Sequence, residues 1–171
     1  MTRDILRVFQ EHCKKAEKHL LDGPEHEVLR GLDIEADDLA LMYLAATTRL
    51  ELEDFETTID ICRGIELLAP NHEHAPSVRG LAHHCLGQLD EAEKAYTKAI
   101  ELNGKDQEAH LYLGELLCFE RDDEENGIRH ISAAKALDPC SIVGKRATVM
   151  LEIIESGQGR KPRGKTPETK R

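Results

Sequence analysis

The stretch SVRGLAHHCLGQLDEAEKAYTKAIELNG, residues 77–104, decides the fold of this chain. Its first half reads as a helix carrying Gly80 and Ala82, and a turn follows at 87–90. Its second half is a helix carrying Ala92, Tyr96 and Ala99, ended by Asn103 and Gly104, which favour helix C-caps. The same pattern returns at a fixed distance. Gly80 recurs as Gly114, Cys62 aligns with Tyr96, Ile65 with Ala99 and Pro70 with Gly104, each 34 residues apart. In the next copy Ala99 returns as Ala134 and Gly104 as Pro139, each 35 apart. A period of this size, filled with helix formers, marks stacked helix-turn-helix units that bury their apolar faces only against one another.

Working outward, the units cover 39–72, 73–106 and 107–140. The first opens with LALMYLAATTRL, turns at the acidic residues 51–54 and continues in a second helix over 55–68 until Ala69-Pro70-Asn71. The third runs QEAHLYLGELLCF, then ERDDEEN, then GIRHISAAKAL, and stops at Asp138-Pro139; its extra residue falls most economically in that acidic turn. Small residues have a mechanical role here. Ala46, Gly80 and Gly114 let the second helix of each unit approach the first, and Ala92 and Ala99 return the close contact.

The flanks read as helical as well. Ile5, Leu6, Phe9, Cys13, Ala16 and Leu20 fall at spacings of three and four, which predicts an amphipathic helix over 3–21 within an N-terminal helical segment, 1–38. Asp22-Gly23-Pro24 stops it. A last helix over 141–156, presenting Val143, Ala147, Met150, Leu151 and Ile154, closes the exposed flank of the third unit. The expected fold is all-α: a right-handed α-solenoid of about three repeats with N- and C-terminal capping helices.

Composition narrows the function. At 171 residues the chain is one domain long, with 40% hydrophobic and 33% charged residues. Residues 157–171 carry six basic side chains against Glu168 alone, net +5, whereas the other 156 residues carry 17 basic and 32 acidic, net −15. This reads as an acidic folded body with a disordered basic tail, and an acidic body excludes nucleic acid as the main partner. No run of about 18 apolar residues is present, so membrane insertion is not expected. Cys13, Cys62, Cys85, Cys118 and Cys140 are odd in number and scattered, which fits reduced thiols in a cytoplasmic protein.

Gly80, Ala82, Gly87, Ala92, Tyr96 and Ala99 sit where the tetratricopeptide repeat (TPR) family places small or aromatic residues, and the chain resembles that family over 39–140. Leu113, Gly114, Ala134 and Pro139 extend the match into the third unit, and Ala46 and Pro70 into the first. Pro76, Arg79, Thr58 and Gly127 depart from the usual residue types. The stretches LMYLAATTRLELEDFETT, RGLAHHCLGQLDEA and RATVMLEIIES are further similar in rhythm to the class II chaperones of bacterial type III secretion. That resemblance implies a chaperone keeping a hydrophobic secreted client soluble.

In the repeat geometry the first helix of each unit lines the concave face. The pattern places Tyr43, Thr47 and Leu50 there, then Ser77, Leu81 and His84, then Leu111, Glu115, Cys118 and Phe119. The set is apolar and small with little positive charge, so it lacks the Lys, Arg and Asn needed to clamp a terminal carboxylate. It suits an extended or apolar segment of a client protein. A generic scaffold or adaptor needs the same solenoid, and an exposed end also admits a homodimer.

Catalytic chemistry finds no support. His72, His74, His83, His84 and Cys85 are close in sequence, but neighbours on a helix point about 100° apart and do not form a metal pair. The acidic runs 51–54 and 122–125 lack a calcium-loop spacing. No phosphate loop, nucleophile elbow or cofactor motif is present, so the expectation is a non-enzymatic binding protein without metal or cofactor.

Overall fold

Short polar side chains start the helices. In the computed structural model, which describes residues 36–156, Asp54 accepts from the backbone N–H of Thr57, Asp106 from Ala109, Asp123 from Asn126 and Ser141 from Gly144. Each satisfies a donor that the first helical turn leaves open. The resulting helices are α1 (Ala36–Glu51), α2 (Phe55–Leu68), α3 (Ala75–Cys85), α4 (Leu89–Leu102), α5 (Gln107–Phe119), α6 (Glu124–Leu137) and α7 (Ile142–Glu155). There is no strand among the described residues. The helix expected over 3–21 and the tail 157–171 lie outside them.

Helices α1 with α2, α3 with α4 and α5 with α6 form three pairs, and α7 packs on the last. The first helices also touch one another, α1 with α3, α3 with α5 and α5 with α7, whereas the second helices do so at most slightly. The stack therefore curves with α1, α3, α5 and α7 on its inner side. No described helix is long and apolar enough to cross a membrane.

The turn inside each pair repeats one backbone device. Glu53, Gly87 and Asp122 occupy the left-handed region, with φ of 58°, 71° and 56°. The first spacing is 34 residues and the second 35, while the caps Leu86 and Glu120 that precede the last two are still 34 apart. The inserted residue of the third repeat is thus Arg121. It reaches back across the junction to Asp90 and Glu93 on α4, the latter at 3.4 Å.

Three apolar clusters run along the stack. Ala46, Ile61, Cys62, Ile65, Ala75 and Val78 join α1, α2 and α3; Ala92, Tyr96, Leu113 and Leu116 join α4 and α5; Leu111, Ile131, Ala134, Ala147 and Met150 join α5, α6 and α7. A fully buried Ile or Leu contributes about 1.5–3 kcal/mol, so the junctions rest on these residues. Glycine sets the helix spacing. A Cβ on Gly80 would sit 2.7 Å from the Tyr96 ring, and one on Gly127 would sit 2.8 Å from the carbonyl oxygen of Gly114.

The departures from the TPR pattern acquire reasons here. Pro76 stands in the first turn of α3, where its missing N–H costs no helical bond. Arg79 donates to Glu66 through Nε at 2.6 Å, and Lys98 donates to the other oxygen at 2.6 Å. A largely buried carboxylate thereby binds α2, α3 and α4 together. Gly127 replaces the usual Ala because Gly114 already faces it across the α5–α6 crossing.

Candidate peptide-binding groove

The inner side of the stack is decorated by four helices, and on each only one stripe reaches it. Along α5, residues four and three apart share a face, so Glu108, Tyr112, Glu115 and Phe119 form one stripe. Leu111 is rotated from Tyr112 by about 100° and is only 1% exposed, inside the α5–α7 cluster. Its expected place in the groove is therefore corrected to the core. Ser77 is corrected likewise, being 6% exposed beneath α3. Cys118 is turned toward α6: a Cβ on Gly127 would strike its sulfur, and its thiol lies 3.9 Å from the Glu124 carbonyl oxygen.

The remaining expected residues are half-buried. Tyr43 and Leu50 lean on the first cluster, and Phe119 on the last. Thr47 donates its hydroxyl to the carbonyl oxygens of Tyr43 and Leu44 at 3.3 and 3.0 Å. Leu81 is partly open. His84 stands edge-on to Tyr96 with ring centroids 6.2 Å apart.

Tyr112, Glu108, Arg146 and His74 were not read from the sequence as groove residues. Tyr112 stacks on the buried Tyr96 at 6.0 Å and 26°, and the Arg146 guanidinium lies 5.3 Å above the Tyr112 ring. Arg146 also donates to Glu115 at 2.7 Å, so α7 is tied to α5 on this side. Tyr43 lies 6.1 Å from His74 and 5.4 Å from His72, ring to ring. Burial, then the Glu108 carboxylate, raises the hydroxyl pKa of both Tyr43 and Tyr112. The signal that could have found Tyr112 and Glu108 was the i, i+4, i+7 stripe on α5 that contains Glu115.

Among the described residues no group of three His, Cys, Asp or Glu could hold a metal ion. Burial pushes the Cys62 thiol up to about 12 and the Cys118 thiol up to about 11, away from nucleophilic use.

Comparison with known proteins agrees with this architecture. The sequence model of the tetratricopeptide repeat matches residues 77–106. No curated protein matches the chain in sequence. Among solved structures, the Yersinia enterocolitica type III secretion translocator chaperone SycD superposes with a TM-score of 0.64 and 18% identity, covering 70% of this chain and 92% of SycD. SycD has also been solved with a peptide of the translocator YopD. PcrH, the Pseudomonas aeruginosa protein, bound to the chaperone binding region of PopD gives 0.67 at 15% identity, over 74% and 97% of the two chains. The first TPR of Spaghetti, bound to the HSP90 peptide SRMEEVD, gives 0.65 at 17%, over 75% and 99%. The described chain is an all-α stack of tetratricopeptide-type repeats with the fold of the type III secretion translocator chaperones.

Proposed function

We propose that this chain is a non-enzymatic cytoplasmic chaperone that holds an extended, apolar segment of a secreted client along the inner face of α1, α3, α5 and α7. The observation that carries the reading is the composition of that face. Tyr43, Leu50, Leu81, Tyr112 and Phe119, which the reading assigns to it, are partly open on α1, α3 and α5, in a stack whose 39–140 body is otherwise acidic and highly charged. Apolar groups left open on a rigid curved surface are sites for another chain. The fold supports the same reading, since PcrH and SycD have been solved with client segments.

The mechanism is burial. Client side chains replace water over the groove, and the acidic exterior keeps the pair dispersed by charge repulsion. Among the described residues Arg146, the cation set against the Tyr112 ring, is already engaged by Glu115 and that ring. The face therefore does not suit the clamping of a terminal carboxylate.

The test is affinity capture of the tagged full chain from its native cells, with Leu81→Glu and Tyr112→Glu beside it. A client that is soluble only in complex and is lost with both variants, while their helical circular dichroism is unchanged, is the expected result. Capture that survives both groove charges and fails with changes on the outer helices would identify an adaptor instead.

A further inference from the structure

Two histidines on facing helices converge in the third repeat. His110 lies near the start of α5 and His130 in the middle of α6, and both are half-buried. Their Nδ1 atoms are 3.0 Å apart, with ring centroids at 5.2 Å and planes inclined by 33°. The other nitrogen of the first ring is tied down as well. His110 Nε2 lies 3.3 Å from the carbonyl oxygen of Gly104, in the turn between α4 and α5. A carbonyl oxygen can only accept, so Nε2 carries the hydrogen, and Nδ1 of His110 presents a bare lone pair to His130.

An imidazole whose outer N–H is held by a backbone carbonyl is the arrangement by which proteins orient a metal-binding histidine. The separation of the two nitrogens fits the same use. With metal–nitrogen bonds of about 2.0–2.1 Å, nitrogens 3.0 Å apart subtend about 90–97° at the ion. That is the angle between neighbouring positions of a square-planar or octahedral ion, narrower than the tetrahedral angle of about 109° that zinc favours. Among the described residues no third His, Cys, Asp or Glu completes a ligand set here. Gln107, one turn earlier on α5, has its side chain committed to the Ala134 and Asp138 carbonyl oxygens and to Ser141. The remaining positions on an ion therefore fall to water, which the partial exposure of both rings admits.

We infer that His110 and His130 form a two-histidine site for a divalent nickel or copper ion, bridging α5 and α6 and completed by water. Binding needs only that the hydrogen between the rings move to Nε2 of His130, so the uncharged pair releases no proton. His110 is rotated by about 200° around α5 from Tyr112. The ion and a client in the groove would thus lie on different sides of α5, and the site stands apart from the groove reading. Its ligands come from both helices of the third repeat, so an ion here fastens that pair.

The test uses the untagged full-length chain at about pH 7.5, where imidazole ligands are free of competing protons, with NiCl2, CuCl2 or ZnCl2 added alone. Calorimetry should show Ni2+ and Cu2+ each binding at one site per chain and more tightly than Zn2+. Tm should rise with added Ni2+, because the ligands are brought together only in the folded chain. His110→Gln and His130→Gln should each remove that rise and weaken Ni2+ by more than the about 10–100-fold that loss of a ligand's supporting partner brings. A map on the unaltered chain makes the result independent of how the variants fold: substoichiometric Cu2+ should broaden the amide signals around His110 and His130 before any others. Binding that favours Zn2+ over Ni2+ overturns the inference, as does affinity indifferent to either variant. Broadening centred elsewhere, for example on His12, His19 or His26, overturns it equally.

Discussion

Gly127→Ala should destabilise the protein, although it restores the residue type usual at that repeat position. In a free helix the change would help, because Ala is favoured over Gly by about 0.8–1.0 kcal/mol in a helix interior. In α6 the new methyl would meet the Gly114 carbonyl oxygen at 2.8 Å and the Cys118 amide nitrogen at 2.9 Å, besides the Cys118 sulfur. Two of these atoms are α5 backbone and cannot rotate away, so the helices must separate. Overpacking of this kind costs about 1–3 kcal/mol. With rigid neighbours near the top of that range, the net loss is about 1–2 kcal/mol. For a chain of this size that lowers Tm by about 3–6 °C. Urea unfolding followed by helical circular dichroism measures it as a lower midpoint at unchanged slope. Gly104→Ala is the control: its nearest neighbour would be 3.8 Å away, so it should raise stability by about 0.4–1 kcal/mol. If Gly127→Ala raises the midpoint as Gly104→Ala does, the close crossing of α5 and α6 is not real.

Glu66→Gln leaves Arg79, whose side chain is 13% exposed, without its charge partner and should cost about 2–3 kcal/mol in the same assay, with Lys98 contributing little because it is more open. Glu53→Gly relieves a side chain from the left-handed region and should stabilise by about 1 kcal/mol, while Asp122→Gly gains less because Asp tolerates that conformation. Burial holds His72, His83 and His130 below the ordinary imidazole value of 6.5. The unfolded chain then binds protons more readily, so stability is complete above that value and falls as the pH drops through it. Unfolding free energies measured from about pH 7.5 to about pH 5 should decline, and His130→Gln should flatten the decline.

Much of this fold was legible because repeat proteins write their contacts into a period. Gly80, Gly114 and Ala46 announced the helix crossings, and the extra residue of the third repeat was traceable to its turn. Arg79 and Pro76 looked like defects in the pattern, yet one completes an ion triad and the other begins a helix. The groove was harder to read. Leu111 and Tyr112 are adjacent, both apolar enough for either role, and a rotation of about 100° decides which is core. Periodicity locates a stripe only to within such a step, so Ser77 and Leu111 were assigned outward when they point inward. Arg146 was invisible for another reason: its partners Glu115 and Tyr112 lie one helix pair earlier, and no local pattern announces a contact over 31 residues.

The inserted Arg121 has a mechanical consequence. Of the contacts between consecutive helices, α4 with α5 is the least extensive, so bending strain along the stack concentrates at that seam. The Tyr96–Tyr112 pair fills the inner side of the seam, and Arg121 bridges to Asp90 and Glu93 where the paired helices turn. The stack behaves as a spring whose softest coil is clipped by exposed charges, and such clips loosen as ionic strength rises. Its curvature, and with it the width available to a bound segment, is a compliance that salt can tune.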